Sequence, residues 1–447
     1  MTSNRNTYLT CGLVLAMALV AGAPARAETT TRQIGQYGIT WTFADEATFG
    51  QFANGDYWVV GPVRIVSIKP ASKRQNDRVK HGSMINPKLG HSQGYDSAMY
   101  GRYGGKSAYK DDLNVALGVS PQQPLTVEPG SSLISTISHD KAGKRPQLQT
   151  AAVLTVLDKP APEGGFRPPY FGDDKTVQYT VGDLDLSKLP NLEPVRGAPN
   201  PATLARRIER PWLEHKLSWT GRYLHPSKNM PDYGRDIALL LGDVSLALLL
   251  DYPEEQKREL LIRYVQIGLD LYAIAEAGGT WTDLGGHMHG RKLPIMLSGL
   301  VLGNEEMVGI GRTMPNRFQE DRQTFVVTEG DVGRKLYHAD KRPREPYTPE
   351  HVGLAEWGEQ HTRQPERDGS NWNAPYRTIV GHSILAHVLT ARLLGLKDEW
   401  NHDPLFDYID RYWAKEKDRE QGAARIRSFH KRMWRAYRDT EHATPAP

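Results

Sequence analysis

The sequence contains a single cysteine among its 447 residues, Cys11. Cys11 lies within residues 1–27, which have the pattern of a secretory signal peptide: Arg5 precedes the apolar run "LTCGLVLAMALVAG", and Ala-Arg-Ala at 25–27 fits an A-x-A cleavage site. We expect cleavage after Ala27 and a periplasmic or secreted mature chain without cysteine. Disulfide bonds and thiolate chemistry are therefore excluded from it.

Long apolar runs and blocks of like charge are also missing from the rest of the chain. The apolar run of the signal peptide is too short to span a bilayer, and no later stretch approaches the roughly 18 apolar residues of a transmembrane helix. Removing Arg5 and Arg26 with the signal peptide lowers the formal net charge from +4 to +2. We expect neither an integral membrane segment in the mature chain nor a nucleic-acid partner.

The N-terminal part of the chain, residues 28–189, has the pattern of β-strands. Runs of β-branched and aromatic residues, several with period-two alternation, lie between turn residues. They are "YGITWTF", "YWVVGPVRIVSI", "PLTVEPGSSLISTIS", "TAAVLTVL" and "VQYTVGDL". The pattern predicts an antiparallel β-sandwich.

A linker rich in proline and glycine (190–210) precedes a helical part (211–440) and a disordered tail (441–447). Asp236–Tyr252 is apolar on all sides, which predicts a buried helix. Further helices are expected over Pro253–Gly279, Leu293–Gly303, Ala374–Leu396 and 403–439. The predicted fold class is α+β with two domains, a β-sandwich followed by an all-α (α/α) domain that forms an incomplete toroid or helical array.

A glycine-rich connection between two predicted helices, Thr280–Lys292, carries two histidines and an arginine. His287 and His289 are candidate acids or bases near neutral pH, and Arg291 suits a carboxylate. Two alternatives stay open, namely a polar loop without function and a metal site formed by His-x-His with Asp283.

Two more clusters of polar and aromatic residues precede apolar helices. The first contains Trp219, Arg222, Tyr223, His225, Asn229, Tyr233 and Arg235, and the second contains Asn373, Tyr376 and Arg377. Asn229 and Asp232 could instead be helix caps, and His382 is expected in the core. An up-and-down helix array would bring the three clusters into one cleft. A long loop of the β part, with Tyr95, could form a wall of that cleft or be an ordinary surface loop.

The three clusters are enriched in Asn, His, Tyr and Arg. These are the side chains needed to cleave a uronic-acid polymer by β-elimination. One group neutralises the carboxylate, a base removes the C5 proton and an acid protonates the departing oxygen. We expect Tyr233 or His287 as the base, Tyr223 or His289 as the acid, and Asn229 and Arg291 at the carboxylate. The expected substrate-binding residues are Arg222, His225, Arg235, Asn373, Tyr376, Arg377, Trp219 and Tyr95. No metal or other cofactor is needed.

Two other functions stay open at this point. A glycoside hydrolase requires two facing carboxylates, and the candidates are Asp232, Asp236, Asp283, Glu356 and Asp368. A non-catalytic glycan-binding or envelope protein would instead present a flat aromatic strip. The candidates for that strip are Tyr57, Trp58, Trp212 and Trp219.

This combination of a secreted chain, a β-sandwich, an α/α domain and Asn, His, Tyr and Arg at helix entries resembles the α/α-toroid polysaccharide lyases. It is also similar to several α/α-toroid glycoside hydrolases. The resemblance is one of architecture and composition and includes no family motif. In the toroid lyases the helical domain usually precedes the sandwich, whereas here it follows. The resemblance implies an acidic polysaccharide or oligosaccharide as the substrate.

Overall fold

The computed structural model describes residues 29–100, 108–228, 230–231, 233–282, 286–334, 336–337, 343–358, 380–420 and 425–440. The predicted signal peptide and the predicted C-terminal tail lie outside these residues. The chain has a curled, mixed β-sheet in its N-terminal part and a helical C-terminal part, which confirms the α+β layout with two parts.

Four of the five predicted strand segments form strands. The fifth, "VQYTVGDL", does not, because Thr180 and Asp183 form a reciprocal capping box that starts a 3-10 turn over Val181–Asp183. The strands are β1 (Thr30–Gln36), β2 (Ile39–Gln51), β3 (Tyr57–Val60), β4 (Val63–Lys69), β5 (Lys73–Gln75), β6 (Arg78–Lys80), β7 (Ser83–Ile85), β8 (Leu125–Val127), β9 (Ser131–Ser138), β10 (Leu148–Leu157), β11 (Thr324–Val326), β12 (Leu336–Tyr337), β13 (Pro343–Arg344) and β14 (Ala355–Trp357).

The main sheet has the strand order β7-β9-β10-β3-β2-β4-β8, with β1 paired to β2. Strands β3 and β10 pair in parallel, so the sheet is mixed and not purely antiparallel as predicted. Alternation along β10 sends Leu154 and Val156 into the core inside the curled sheet, and Ala151 and Val153 into the core shared with the helices. Both faces of β10 are therefore buried.

Each predicted apolar segment contains a helix, and further short helices lie outside these segments. The helices are α1 (Pro201–Arg207), α2 (Gly234–Leu248), α3 (Glu254–Glu276), α4 (Lys292–Leu302), α5 (Glu305–Val308), α6 (Ile310–Thr313), α7 (Gln319–Gln323), α8 (Leu385–Leu393), α9 (Lys397–Trp400), α10 (Asp403–Glu416) and α11 (Ser428–Tyr437). Helix α3 ends just before Gly278, which has a φ of 95°. His382 is buried as expected, at 2% exposure. Within the described ranges, no helix is both long and apolar enough to cross a membrane.

One helix lies inside the predicted linker. Helix α1 begins after Asn200, whose side-chain oxygen accepts a hydrogen bond from the backbone N–H of Thr203. Pro201 occupies the first helical position, where its missing N–H costs nothing. An N-cap followed by proline therefore starts a helix in a segment whose composition suggested a loop.

A buried arginine connects the sheet to the helices. Arg167, which follows the last strand of the main sheet, is fully buried. Its Nε donates to Asp56 Oδ2 at 2.6 Å, next to β3, and its Nη1 and Nη2 donate to the two carboxylate oxygens of Asp270 on α3 at 3.1 and 2.6 Å. Gln266 of α3 also exchanges two hydrogen bonds with the backbone of Arg167. This ion triad therefore fixes how the helical part sits on the sheet.

We predict that Arg167→Ala lowers the free energy of unfolding by about 3–5 kcal/mol, because it leaves two buried carboxylates without their common cation. Urea unfolding followed by circular dichroism measures the loss. The matched control is Arg74→Ala, which removes an ion pair with Asp111 whose side chains are 50% and 54% exposed. Such exposed pairs contribute at most about 1 kcal/mol. Equal losses in the two variants would contradict the role given to Arg167.

Candidate functional site

Five of the predicted site residues contact one another where the sheet meets the helical part. They form the aromatic–histidine cluster, which consists of Trp219, Arg222, Tyr223, Tyr233 and His287. Arg222 and Tyr223 are buried, whereas the other three side chains are partly exposed. The cluster therefore has a solvent-accessible side that a ligand can reach.

The first three cluster residues lie on a 3-10 helix, Trp219–Leu224, that is held against the β part. On its N-terminal side, the N–H of Leu217 donates to the carbonyl of Gly90 at 2.7 Å. On its C-terminal side, Ser227 and Lys228 donate backbone hydrogen bonds to the residues that begin β10, at 3.0 and 3.1 Å. The sheet therefore positions this half of the cluster.

Tyr233 and His287 come from the helical part, where glycines allow a close approach. Tyr233 is the N-cap residue of α2, and a Cβ atom on Gly234 would lie 2.2 Å from the carbonyl of His287. A Cβ atom on Gly286 would lie 2.3 Å from the Tyr233 hydroxyl oxygen. Gly290 has a φ of 89° and packs against α2. The glycines of this loop bring His287 against the entry of α2.

Arg222 is the centre of the cluster. One terminal nitrogen of its guanidinium contacts Nδ1 of His287, and the other donates to the Tyr223 hydroxyl at 2.9 Å. The guanidinium carbon lies 5.1 Å from the centre of the Trp219 ring and 5.6 Å from that of Tyr233, distances typical of cation–π contacts. The cluster therefore holds a positive charge among aromatic rings.

Histidine and tyrosine are in direct ring contact within the cluster. The His287 ring centre lies 5.2 Å from that of Trp219, at a tilt of 32°, and 5.6 Å edge-on from that of Tyr233. The guanidinium carbon of Arg235 lies 5.2 Å from the Tyr233 ring centre, and Arg235 pairs with Asp236 at 2.8 Å. Two candidate proton-transfer groups and two guanidinium groups are thus adjacent.

Arg291 does not join the cluster, although its sequence context suggested a carboxylate-binding role. It is fully buried, and its guanidinium donates to Glu214 Oε1 at 2.8 and 3.1 Å. Trp281 donates to the other carboxylate oxygen at 3.1 Å, and Nε2 of His225 lies 2.9 Å from Oε1. Burial alone would raise the pKa of Glu214, but Arg291 and His225 hold it at about 2. Arg291 and Glu214 therefore form a buried ion pair, and His225 packs beside it.

His289 and Tyr95 are also fully buried. Nε2 of His289 lies 2.8 Å from Oε1 of Gln323 on α7, and burial lowers the pKa of the imidazole to about 3. The Tyr95 ring packs edge-on against His215. The sequence pattern did not distinguish His289 from His287, because both belong to the same His-x-His motif. In the structure the His287 ring is partly exposed, whereas the His289 ring faces α7.

Several other candidates lie outside the described residues. They are Asn229, Asp232, Asp283, Asp368, Asn373, Tyr376 and Arg377. Of the acids considered for a glycosidase, the two that are described are Asp236, which pairs with Arg235, and Glu356, which is fully buried. Among the described residues, no group of three or more His, Cys, Asp or Glu side chains could hold a metal ion.

The aromatic strip expected of a glycan-binding protein does not form a common surface. Trp58 and Trp212 are buried, at 8% and 1% exposure, and pack in separate hydrophobic cores. Of the four candidates, only Trp219 belongs to the aromatic–histidine cluster.

The β part contributes Tyr100, from the long loop that was considered as a wall of the cleft, and Arg145, which was not predicted. The Tyr100 ring lies 5.7 Å from Trp219 and 5.6 Å edge-on from Tyr223, and the Arg145 guanidinium carbon lies 4.0 Å from the Tyr100 ring centre. Arg145 occurs in the turn between β9 and β10. In the sequence, a cation in such a turn cannot be distinguished from an ordinary surface charge.

No protein-family model matches this chain, and neither a curated protein nor a solved structure matches it significantly. The functional conclusion therefore depends on the chemistry of the aromatic–histidine cluster.

Helix α7 supports the loop that carries His287. The side-chain oxygen of Gln319 accepts a hydrogen bond from the N–H of Met288 at 2.6 Å. The next residue of α7, Glu320, is buried, and within the described part of the chain neither of its carboxylate oxygens has a hydrogen-bond partner. Burial, reinforced by Asp321, raises the pKa of Glu320 from 4.5 to about 7.

We predict that Glu320→Gln stabilises the protein more at pH 8 than at pH 5. Between pH 4.5 and 7 the unfolded chain loses this proton first, so the wild type loses stability as the pH rises through that interval. Above this interval, the free energy of unfolding that the wild type has lost reaches about 3 kcal/mol. The measurement is the thermal midpoint of both proteins across this pH range, with Glu329→Gln, an exposed site, as the control. A pH-independent difference would show that Glu320 is ionised throughout.

Proposed function

We propose that this protein is a polysaccharide lyase that cleaves a uronic-acid polymer by β-elimination in the periplasm or outside the cell. The observation that carries the proposal is the contact of His287, Tyr233 and Arg222 at a partly exposed site between the sheet and the helices. These groups can transfer protons and stabilise negative charge without a metal or a carboxylate pair.

The contact between Arg222 and His287 suggests which proton His287 carries. A guanidinium has only donors, so Nδ1 of His287 accepts in this contact. The proton of the neutral imidazole then lies on Nε2, where it can be donated. His287 therefore acts as the acid in this proposal.

Tyr233 acts as the base. The guanidinium carbons of Arg222 and Arg235 lie 5.6 and 5.2 Å from its ring centre, and its ring contacts His287, so the phenol lies among the groups that the reaction needs. The phenolate oxygen takes the C5 proton, the C5–H electron pair becomes the C4–C5 double bond, and the C4–O bond breaks. His287 Nε2–H gives its proton to the departing O4. Arg222 neutralises the uronate carboxylate during this step, because Arg235 is already paired with Asp236.

The proposal also includes two details of the expected fold. The curled sheet forms a β-sandwich, and the helical part forms an incomplete α/α toroid around one side of the site. The support for the first is the apolar core enclosed by the curled sheet, which includes Trp41, Ile65 and Leu154. The support for the second is the packing of α2 against α3 and α8 within one continuous core.

We predict that the mature protein releases unsaturated uronate from at least one polyuronide, and that Tyr233→Phe or His287→Ala lowers turnover by about 10²–10⁴-fold. Loss of either group removes one of the two proton transfers. Ultraviolet absorbance detects the double bond, and a reducing-end assay on the same samples detects every cleavage.

The matched control is Tyr252→Phe, which removes a hydroxyl that donates to the Pro199 carbonyl at 2.8 Å, away from the cluster. Reducing ends without absorbance would mean hydrolysis and would reject the lyase. Wild-type turnover in both Tyr233→Phe and His287→Ala would remove these residues from the mechanism.

Gly286→Ala tests the positioning of the base without removing a reactive group. The new methyl group would lie 2.3 Å from the Tyr233 hydroxyl oxygen, so we predict that the ring shifts and that turnover falls by at least about tenfold. The control is Gly330→Ala, whose nearest contact would be an ordinary 3.7 Å. Steady-state kinetics compares the two, and unchanged turnover in Gly286→Ala would contradict the position given to Tyr233.

A further inference from the structure

We propose that Arg145 forms a second anionic subsite, which binds the carboxylate of the sugar next to the one that is cleaved. This inference rests on the lyase proposal and makes it more specific: the substrate class is a polymer in which uronic acids are adjacent to one another. Arg145 is a specificity residue in this scheme and takes no part in proton transfer.

Arg145 is exposed and stacks on an aromatic ring that belongs to the wall of the site. Its guanidinium carbon lies 4.0 Å from the Tyr100 ring centre and 5.7 Å from that of Tyr223. Stacking on the ring face leaves the N–H edges of a guanidinium available for two parallel hydrogen bonds to a carboxylate. The ring therefore orients the cation without consuming its donors.

The same edge of the β part carries further positive charge. Nζ of Lys144 lies 3.4 Å from Nδ1 of His139, whose Nε2 lies 2.6 Å from the Ser227 hydroxyl. Burial, followed by Lys144 and Lys228, lowers the pKa of His139. The nearby acid, Asp140, lies 3.2 Å from Lys80 and compensates that lysine. This edge of the site thus has an excess of cations.

Two arginines therefore offer positive charge to a ligand, one in the cluster and one beside it. Arg222 lies in the cluster, and Arg145 lies beside Tyr223 on the β part. A ligand that contacts both needs at least two anionic groups. If the sugar next to the cleaved residue is uncharged, Arg145 has no charged partner on the ligand. A polymer with adjacent uronates therefore binds more tightly.

Binding can be measured separately from turnover. We would titrate full-length Tyr233→Phe protein, which binds without cleaving, with tetramers of mannuronate or galacturonate, the corresponding monomers and a neutral mannose tetramer. Adding Arg145→Ala should weaken binding of a uronate tetramer by about ten- to hundredfold, the effect of one charged hydrogen-bonded contact. Monomer binding should be unchanged. Arg145→Lys, which keeps the charge but not the paired donors, should lie between the two.

Lys141→Ala is the matched control, because it removes one exposed positive charge from the same turn. Equal tetramer affinity with and without Arg145 would overturn the subsite, as would the absence of any tetramer binding. An equal loss in Lys141→Ala would reduce the effect to net charge and would also overturn it. Arg145-dependent tetramer binding with no unsaturated product from the wild type would retain the subsite and reject the lyase.

Discussion

The position of the helices on the sheet depends on one fully buried cation, Arg167. Its charge is compensated by a carboxylate from each side, Asp56 beside β3 and Asp270 on α3. A buried pair tolerates little displacement, because each charge lacks water to replace its partner. The aromatic–histidine cluster, which takes residues from both parts, can form only while this arrangement is maintained.

The groups that surround the buried arginines divide them into two kinds with different roles. Arg167 and Arg291 are fully buried, and two carboxylates hold the first while one holds the second. Arg222, by contrast, is surrounded mainly by aromatic rings and contacts a histidine. Aromatic rings stabilise a cation without neutralising it, so its field still reaches a bound anion. The surroundings of each arginine therefore determine whether its charge is available to a ligand.

Much of the fold could be predicted from periodicity, and local composition pointed to all five residues of the aromatic–histidine cluster, but it also pointed to Arg291, His289, His225 and Tyr95, which are buried elsewhere. The apolar run before Tyr252 became α2, and Gly278 ended α3 as expected. His287 and His289 are two residues apart and equivalent in the sequence, yet one faces the cluster and the other faces Gln323. That difference depends on the close packing of Gly234 and on α7, which are contacts between distant segments. No local pattern encodes them, and the same holds for Arg145.

The backbone hydrogen bonds of Ser227 and Lys228 to the start of β10 have a consequence for how the protein can be divided. They attach the segment that carries Arg222 to the sheet, although this segment lies on the helical side of the linker in the sequence. A cut at the linker would therefore separate Arg222 from the strand that supports it. Neither part can therefore be joined to a different domain unless that domain reproduces these backbone hydrogen bonds and the ion triad.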